Sequence, residues 1–183
     1  CKLARRVNHS FCFKHAILLS PSHRFTCWSS LPANMFVYLT HGDRMECTVK
    51  WIGDSMSFLA ETGSKHALVM DAAADAGGRN LAPRPMEMLL AGTGGCTAFD
   101  VVSILKKGRH AISGCEVSLH AERAETDPKI FTRIHFHFRV SGKQLKRDIV
   151  ARAIELSKEK YCSASIILGK TAEMTHDFEI IED

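Results

Sequence analysis

The 183-residue chain is short of several features that would each announce a function. It has no CxxC pair and no zinc-like cysteine spacing, which removes a thioredoxin-type motif and a zinc framework from consideration. GxGxxG and GxxxxGK are both missing, so neither nucleotide fingerprint is available. No window approaches eighteen uninterrupted apolar residues, and by that criterion a membrane-spanning helix is not expected. Internal repeats and low-complexity tracts are also missing. Acids are scarce at the start, where Asp43 alone stands against Lys2, Arg5, Arg6, Lys14, Arg24 and Arg44.

That scarcity locates the formal net charge of +4, because the chain carries 24 basic and 20 acidic residues and the excess lies in residues 1–44. Residues 45–183 are close to neutral with interleaved signs, which leaves no electrostatic footprint for nucleic acid. Neither nucleic acid nor a membrane is expected as a partner. The length and the 45% hydrophobic content suit one domain with its own core.

Residues 1–44 show no sustained period of 3.6 or 2. Three readings of this leader stay open: a start placed upstream of a true initiator at Met45, a targeting peptide, or a disordered arm. Three of the seven cysteines (Cys1, Cys12, Cys27) lie there. The remaining four, Cys47, Cys96, Cys115 and Cys162, read as free thiols in a reducing, cytoplasmic setting.

From Met45 the pattern becomes regular. Residues 46–52 and 55–61 are short strand-like runs across a Gly53-Asp54 turn, and 66–71 follows as a third. A loop rich in Gly and Pro ends at Pro85, which suits the first turn of a helix over 85–107, stopped by Gly108. That helix is apolar almost all round and is expected to be buried on most sides.

Strands over 112–125 and 129–140 come next. A helix over 143–160 follows, with Ser141 as its expected cap, then a short helical stretch SASIIL and a final strand over 171–181. The order βββαββααβ predicts an α+β fold in which antiparallel sheets flank a long buried central helix.

Gly92-Thr93-Gly94-Gly95 sits inside that helix, at about 1 kcal/mol per glycine relative to alanine, so close packing or approach of the backbone to a substrate is implied. Cys96 follows at once. By itself it reads as a small hydrophobe. Cys162 opens a predicted helix, where amides and dipole favour a thiolate, yet a packed thiol fits equally.

Together they suggest oxidation of one sulfur to a sulfenic acid and condensation to a disulfide, provided the Cα atoms come within about 7 Å. Asp100, one turn after Cys96, would oppose a thiolate there. His135 and His137 alternate on one predicted strand, on a face that His120 of the preceding strand would join; this reads as a solvated surface, and no metal ligands are assigned. Cys47 and Cys115 are read as packing residues.

Through PMEMLLAGTGGCTAFDVVSILKKGR, CEVSLHAERAE, FTRIHFHF and LSKEKYCSASIIL, residues 45–183 resemble the OsmC/Ohr family of thiol-dependent peroxidases, in its YhfA-like branch. The resemblance implies an OsmC-like fold and an intertwined homodimer with sites at the subunit interface. It implies that Cys96 attacks an organic or fatty-acid hydroperoxide and becomes a sulfenic acid. Cys162 then resolves it as a disulfide that an external lipoyl-type dithiol reduces, with no bound cofactor, in oxidative stress defence.

The better-known peroxidase branches place Glu directly after the proline matched by Pro85, paired with an early arginine. Here Met86 follows Pro85, Glu87 is the candidate supporting residue, and WIGDSMSFLAET offers no arginine. Substrate-binding residues are not assigned. The competing expectation is a non-catalytic dimer that binds a small apolar ligand in its interface pocket.

Overall fold

The computed structural model describes residues 45–183, and every expectation for residues 1–44 lies outside the described residues. Strands β1 (Cys47–Trp51), β2 (Phe58–Thr62) and β3 (Ala67–Met70) form an antiparallel sheet in the order β1-β2-β3. The turn between β1 and β2 is wider than Gly53-Asp54 alone. Trp51 pairs with Phe58, and the loop closes through the Ile52 N–H donating to Ser57 O at 2.9 Å. Gly53, at φ +87°, supplies the left-handed residue of that loop.

All of β1 is exposed, so Cys47 is not the packing residue expected of it. Cys115, in contrast, packs against the core, and burial pushes its thiol above the ordinary value.

Helix α1 (Pro85–Lys107) starts where Pro85 fits the first turn, after the loop that follows β3. That loop is organised by Asp71, which is 1% exposed. Its carboxylate accepts from the N–H groups of Ala72, Arg79 and Leu81 and from the Ser57 hydroxyl, at 2.8 to 3.1 Å. These donors, the Leu81 amide foremost, hold Asp71 below the usual carboxylate range against the opposing effect of burial.

The second sheet holds β4 (Ala111–Arg123), β5 (Phe131–Lys143) and β6 (Glu173–Glu182) in the order β4-β5-β6. β4 and β5 pair antiparallel as expected, whereas β6 lies parallel to β5, since the chain crosses back through helices before re-entering the sheet. β5 also runs on to Lys143, drawn out by pairing with Ala111 and Ile112 on one side and Glu182 on the other. Ser141 is therefore a strand residue. Lys146 takes the N-cap position of α2 (Arg147–Leu156), which is shorter than the expected helix.

The core lies between this sheet and the helices. Ile134, Phe136, Phe138 and Val140 alternate inward from β5 and meet Val101 and Leu105 of α1 and Val150, Ala153 and Ile154 of α2. Full burial of each large side chain contributes roughly 1.5–3 kcal/mol. The opposite face of the sheet carries Arg133, His135, His137 and Arg139 beside Glu173, Thr175, Asp177 and Glu179. His135 bonds Thr175 and His137 bonds Asp177 on that open surface.

Two expectations for α1 need correction. An eighteen-residue window of α1 has mean hydropathy 1.6, enough by length and composition to cross a membrane, because Gly, Thr and Cys interrupt the apolar run without making it polar. Nor is α1 buried on most sides. Thr93, Gly94, Thr97, Val101 and Leu105 form a buried stripe, while Leu89 is 49% and Phe99 72% exposed on the rest of the helix.

The glycines divide the same way. A Cβ on Gly94 would sit 2.7 Å from Leu119 Cδ1 of β4, so this position needs the missing side chain; Gly92 and Gly95 face open space. Close packing thus explains one glycine of the three.

Candidate active site: a cysteine pair beside a carboxylate

Two irregularities bring Cys162 to α1. After Leu156 the chain widens into a π-helical turn, Ser157–Tyr161, closed by the Cys162 N–H donating to Ser157 O at 2.8 Å. Such turns carry an extra residue and redirect the backbone. Cys162 then leaves in an extended conformation and serves as the N-cap of α3 (Ser163–Leu168). Its sulfur accepts from the Ser165 N–H at 3.4 Å and the Ser165 hydroxyl at 3.1 Å. The Thr97 hydroxyl of α1 lies 3.3 Å from the same sulfur.

Cys96, one residue before Thr97, points into the same space. Its sulfur, the Cys162 sulfur and a carboxylate oxygen of Asp100 all lie within 4.8 Å of one another. Among the described residues, these three are the one grouping of side chains with the donor types to hold a metal ion. Cys96 is half-buried and Cys162 is 0% exposed, so an oxidant arriving from solvent meets Cys96 first.

The surroundings divide the pair electrostatically. Burial, and then interaction with the Cys162 sulfur, hold the Cys96 thiol above its ordinary value; the Ala164 N–H pulls the other way, and the charges of Cys162 and Asp100 add to the rise. Burial also acts to raise Cys162, but the Ser165 hydroxyl, Thr97, Cys96 and the Ser165 amide together outweigh it, and its thiol lies below the ordinary value. The two thiols are thus shifted in opposite directions, Cys96 up and Cys162 down.

Replacing Ser165 with alanine removes a hydroxyl donor to the Cys162 thiolate. In a Cys96→Ser background, the thiolate absorbance of Cys162 is expected to rise at higher pH in Ser165→Ala than in the parent. An unmoved midpoint would contradict the assignment. The sign carries to stability: a thiol that ionises more easily when folded stabilises the fold above the unfolded-state pKa, and that contribution fades as pH falls through the folded value.

Glu87, the expected supporting residue, is elsewhere. Its carboxylate accepts from the Arg84 N–H at 2.8 Å at the start of α1, where it caps the helix and stays exposed. Nine residues separate it from Cys96, about 13 Å of helix rise. Asp100 is nearer, and Ser157 of the π turn donates to its Oδ2 at 3.0 Å. Thr97, Ser157 and Ser165 were not legible as site residues; the one local signal was the i+3 spacing of Ser165 from a cysteine at a helix start.

Comparisons with known proteins identify relatives of the chain. Residues 77–177 match the family described as OsmC-like protein. The protein YhfA of Escherichia coli (strain K12) is 47% identical over 137 residues, which span 75% of this chain and 98% of YhfA. A solved hypothetical protein from Aquifex aeolicus VF5 superposes with a TM-score of 0.67 at 25% identity, covering 78% of this chain and 99% of its own. The organic hydroperoxide resistance protein OsmC from Legionella pneumophila superposes with a TM-score of 0.57 over 74% of this chain and 96% of its own; at 13% identity it attests the fold alone. By its family match and its identity to YhfA, this chain belongs to the OsmC-like family.

Proposed function

We propose that the protein is a thiol-dependent peroxidase that reduces organic or fatty-acid hydroperoxides in oxidative stress defence. The observation that carries this reading is the meeting of the Cys96 and Cys162 sulfurs within 4.8 Å, one reachable and one enclosed. Family membership and the hydroperoxide-resistance name of a fold neighbour support it.

The chemistry divides into two sulfur steps. Cys96 attacks the peroxide, forming an S–O bond as the O–O bond breaks, and becomes a sulfenic acid while an alcohol leaves. Cys162, already favoured as thiolate, attacks the oxidised sulfur; the S–S bond forms, and the released hydroxide takes a proton from solvent to leave as water. An external dithiol of lipoyl type then reduces the disulfide. No bound cofactor or metal enters this cycle. The setting is the cytoplasm, where the remaining thiols stay reduced.

The working unit in this proposal is a homodimer. The open, apolar side of α1, with Leu89 and Phe99, is a surface that a second copy would cover. The same enclosed face would serve the competing reading, a dimer that only holds an apolar ligand.

Turnover separates the two. Reduced protein supplied with cumene hydroperoxide and dihydrolipoamide is expected to consume many equivalents of peroxide. Binding of the peroxide without consumption would favour the ligand-holding dimer.

A further inference from the structure

Asp100 sits beside both sulfurs of the pair. It stands one turn after Cys96 on α1, and its carboxylate oxygen is within 4.8 Å of both sulfurs. Ser157, itself 0% exposed, holds Oδ2 by a 3.0 Å hydrogen bond. The π turn that delivers Cys162 therefore also anchors Asp100. Among the described residues, no Lys, Arg or His forms an ion pair with Asp100.

Three acidic groups thus converge without a cation between them. Protons are the counter-charge this grouping contains, and peroxide cleavage needs one moved twice: off Cys96 before attack, and onto the departing oxygen after it.

We infer that Asp100 is the proton-transfer residue of the pair, taking the Cys96 thiol proton and returning it to the leaving alkoxide. This rests on the peroxidase reading above. The step balances within the site. The Asp100 carboxylate accepts the proton from Cys96 Sγ, and the freed sulfur electron pair forms the S–O bond as the O–O bond breaks. The alkoxide then takes the same proton from Asp100 and leaves as an alcohol. Sulfur is oxidised, the hydroperoxide is reduced, and Asp100 is again a carboxylate. Proton transfer by a positioned side chain contributes typically 10²–10⁴-fold, as an order of magnitude.

A purely electrostatic or structural role for Asp100 makes a different forecast, so two rates on the same variant decide the matter. The first is formation of the Cys96–Cys162 disulfide after one equivalent of cumene hydroperoxide at neutral pH; the second is alkylation of Cys96 by iodoacetamide at an alkaline pH where the thiol is already ionised, which needs neither a proton taken from Cys96 nor one returned to a leaving alkoxide. In Asp100→Asn, disulfide formation is expected to slow by about tenfold or more, while alkylation is unchanged or faster because a negative neighbour is gone. Ser157→Ala, which keeps the carboxylate but frees it, is expected to show the same split at smaller size.

Disulfide formation at the wild-type rate in both variants overturns the inference. A parallel fall of both rates in both variants also overturns it, marking a damaged site. If the wild-type protein forms no disulfide, the peroxidase reading itself fails and the role of Asp100 falls with it. A wild-type disulfide with no split in the variants removes Asp100 alone.

Discussion

Cys96→Ser is expected to abolish hydroperoxide turnover, a loss of roughly a thousandfold or more, because serine at this position offers no thiolate and cannot be carried to a sulfenic acid. Cys162→Ser is expected to fail differently. Its Cys96 remains the sulfur reachable from solvent, so one equivalent of peroxide is consumed and the reaction stops at the sulfenic acid, trappable with dimedone and visible by mass spectrometry.

The two phenotypes follow from exposure and not from position along the chain. Cys96 is half-buried on α1, and Cys162 is enclosed by Thr97 and Ser165. Equal retention of turnover in both variants would remove the cysteines from the chemistry. A dimedone adduct on Cys162 in Cys96→Ser would reverse their roles.

The second large effect concerns the platform under the site. Phe138 is 1% exposed, stacks beside Phe136 with ring centroids 6.3 Å apart, and belongs to the core beneath α1 and α2. Phe138→Ala is expected to cost about 3–5 kcal/mol in stability. That corresponds to a fall of roughly 10 °C or more in Tm, measured on reduced protein by calorimetry.

Because Thr97 lies on the buried stripe of α1 and shares the Cys162 sulfur, loosening this layer is also expected to slow disulfide formation in the folded protein. A loss below about 1 kcal/mol would mean that Phe138 is not a core residue in the sense argued from its burial.

Alternation carries much of the fold in the sequence. Val117, Leu119 and Ala121 on β4 and Ile134, Phe136 and Phe138 on β5 face the core, because a strand's side chains repeat every two residues; Ile130, which the same alternation includes, lies before β5 and is 41% exposed. The long helix was legible from its proline start and glycine stop. Which side the core takes was not, since apolar residues on every side of a helix do not single out the buried stripe Thr93, Gly94, Thr97, Val101 and Leu105.

The direction of β6 was also hidden. Its alternation reads the same whether it pairs parallel or antiparallel, and the choice is made by a crossover through α2 and α3. Ser141 had the right residue type for a cap, but the neighbouring strands offered its backbone longer pairing.

The site was half legible for a related reason. Each cysteine had a local signature, Cys96 behind its glycines and Cys162 at a helix start, whereas their proximity is a long-range fact. The π turn adds a residue that a 3.6-residue period does not foresee, so Ser157 reads as one more polar position within the expected helix over 143–160. Asp100 was visible as a neighbour of Cys96, and its charge was read as an obstacle to the thiolate. That repulsion persists in the structure as the least of the causes that raise the Cys96 thiol. Glu87 had sequence spacing in its favour, yet its carboxylate is engaged in a helix cap.

Mapping the thiols of reduced protein after one equivalent of cumene hydroperoxide tests the central claim most directly. The account predicts, within seconds to minutes, loss of two hydrogen masses and a peptide pair linking Cys96 to Cys162, restored by dihydrolipoamide. Thiols that all remain free, or a linkage that excludes either of these cysteines, would contradict it.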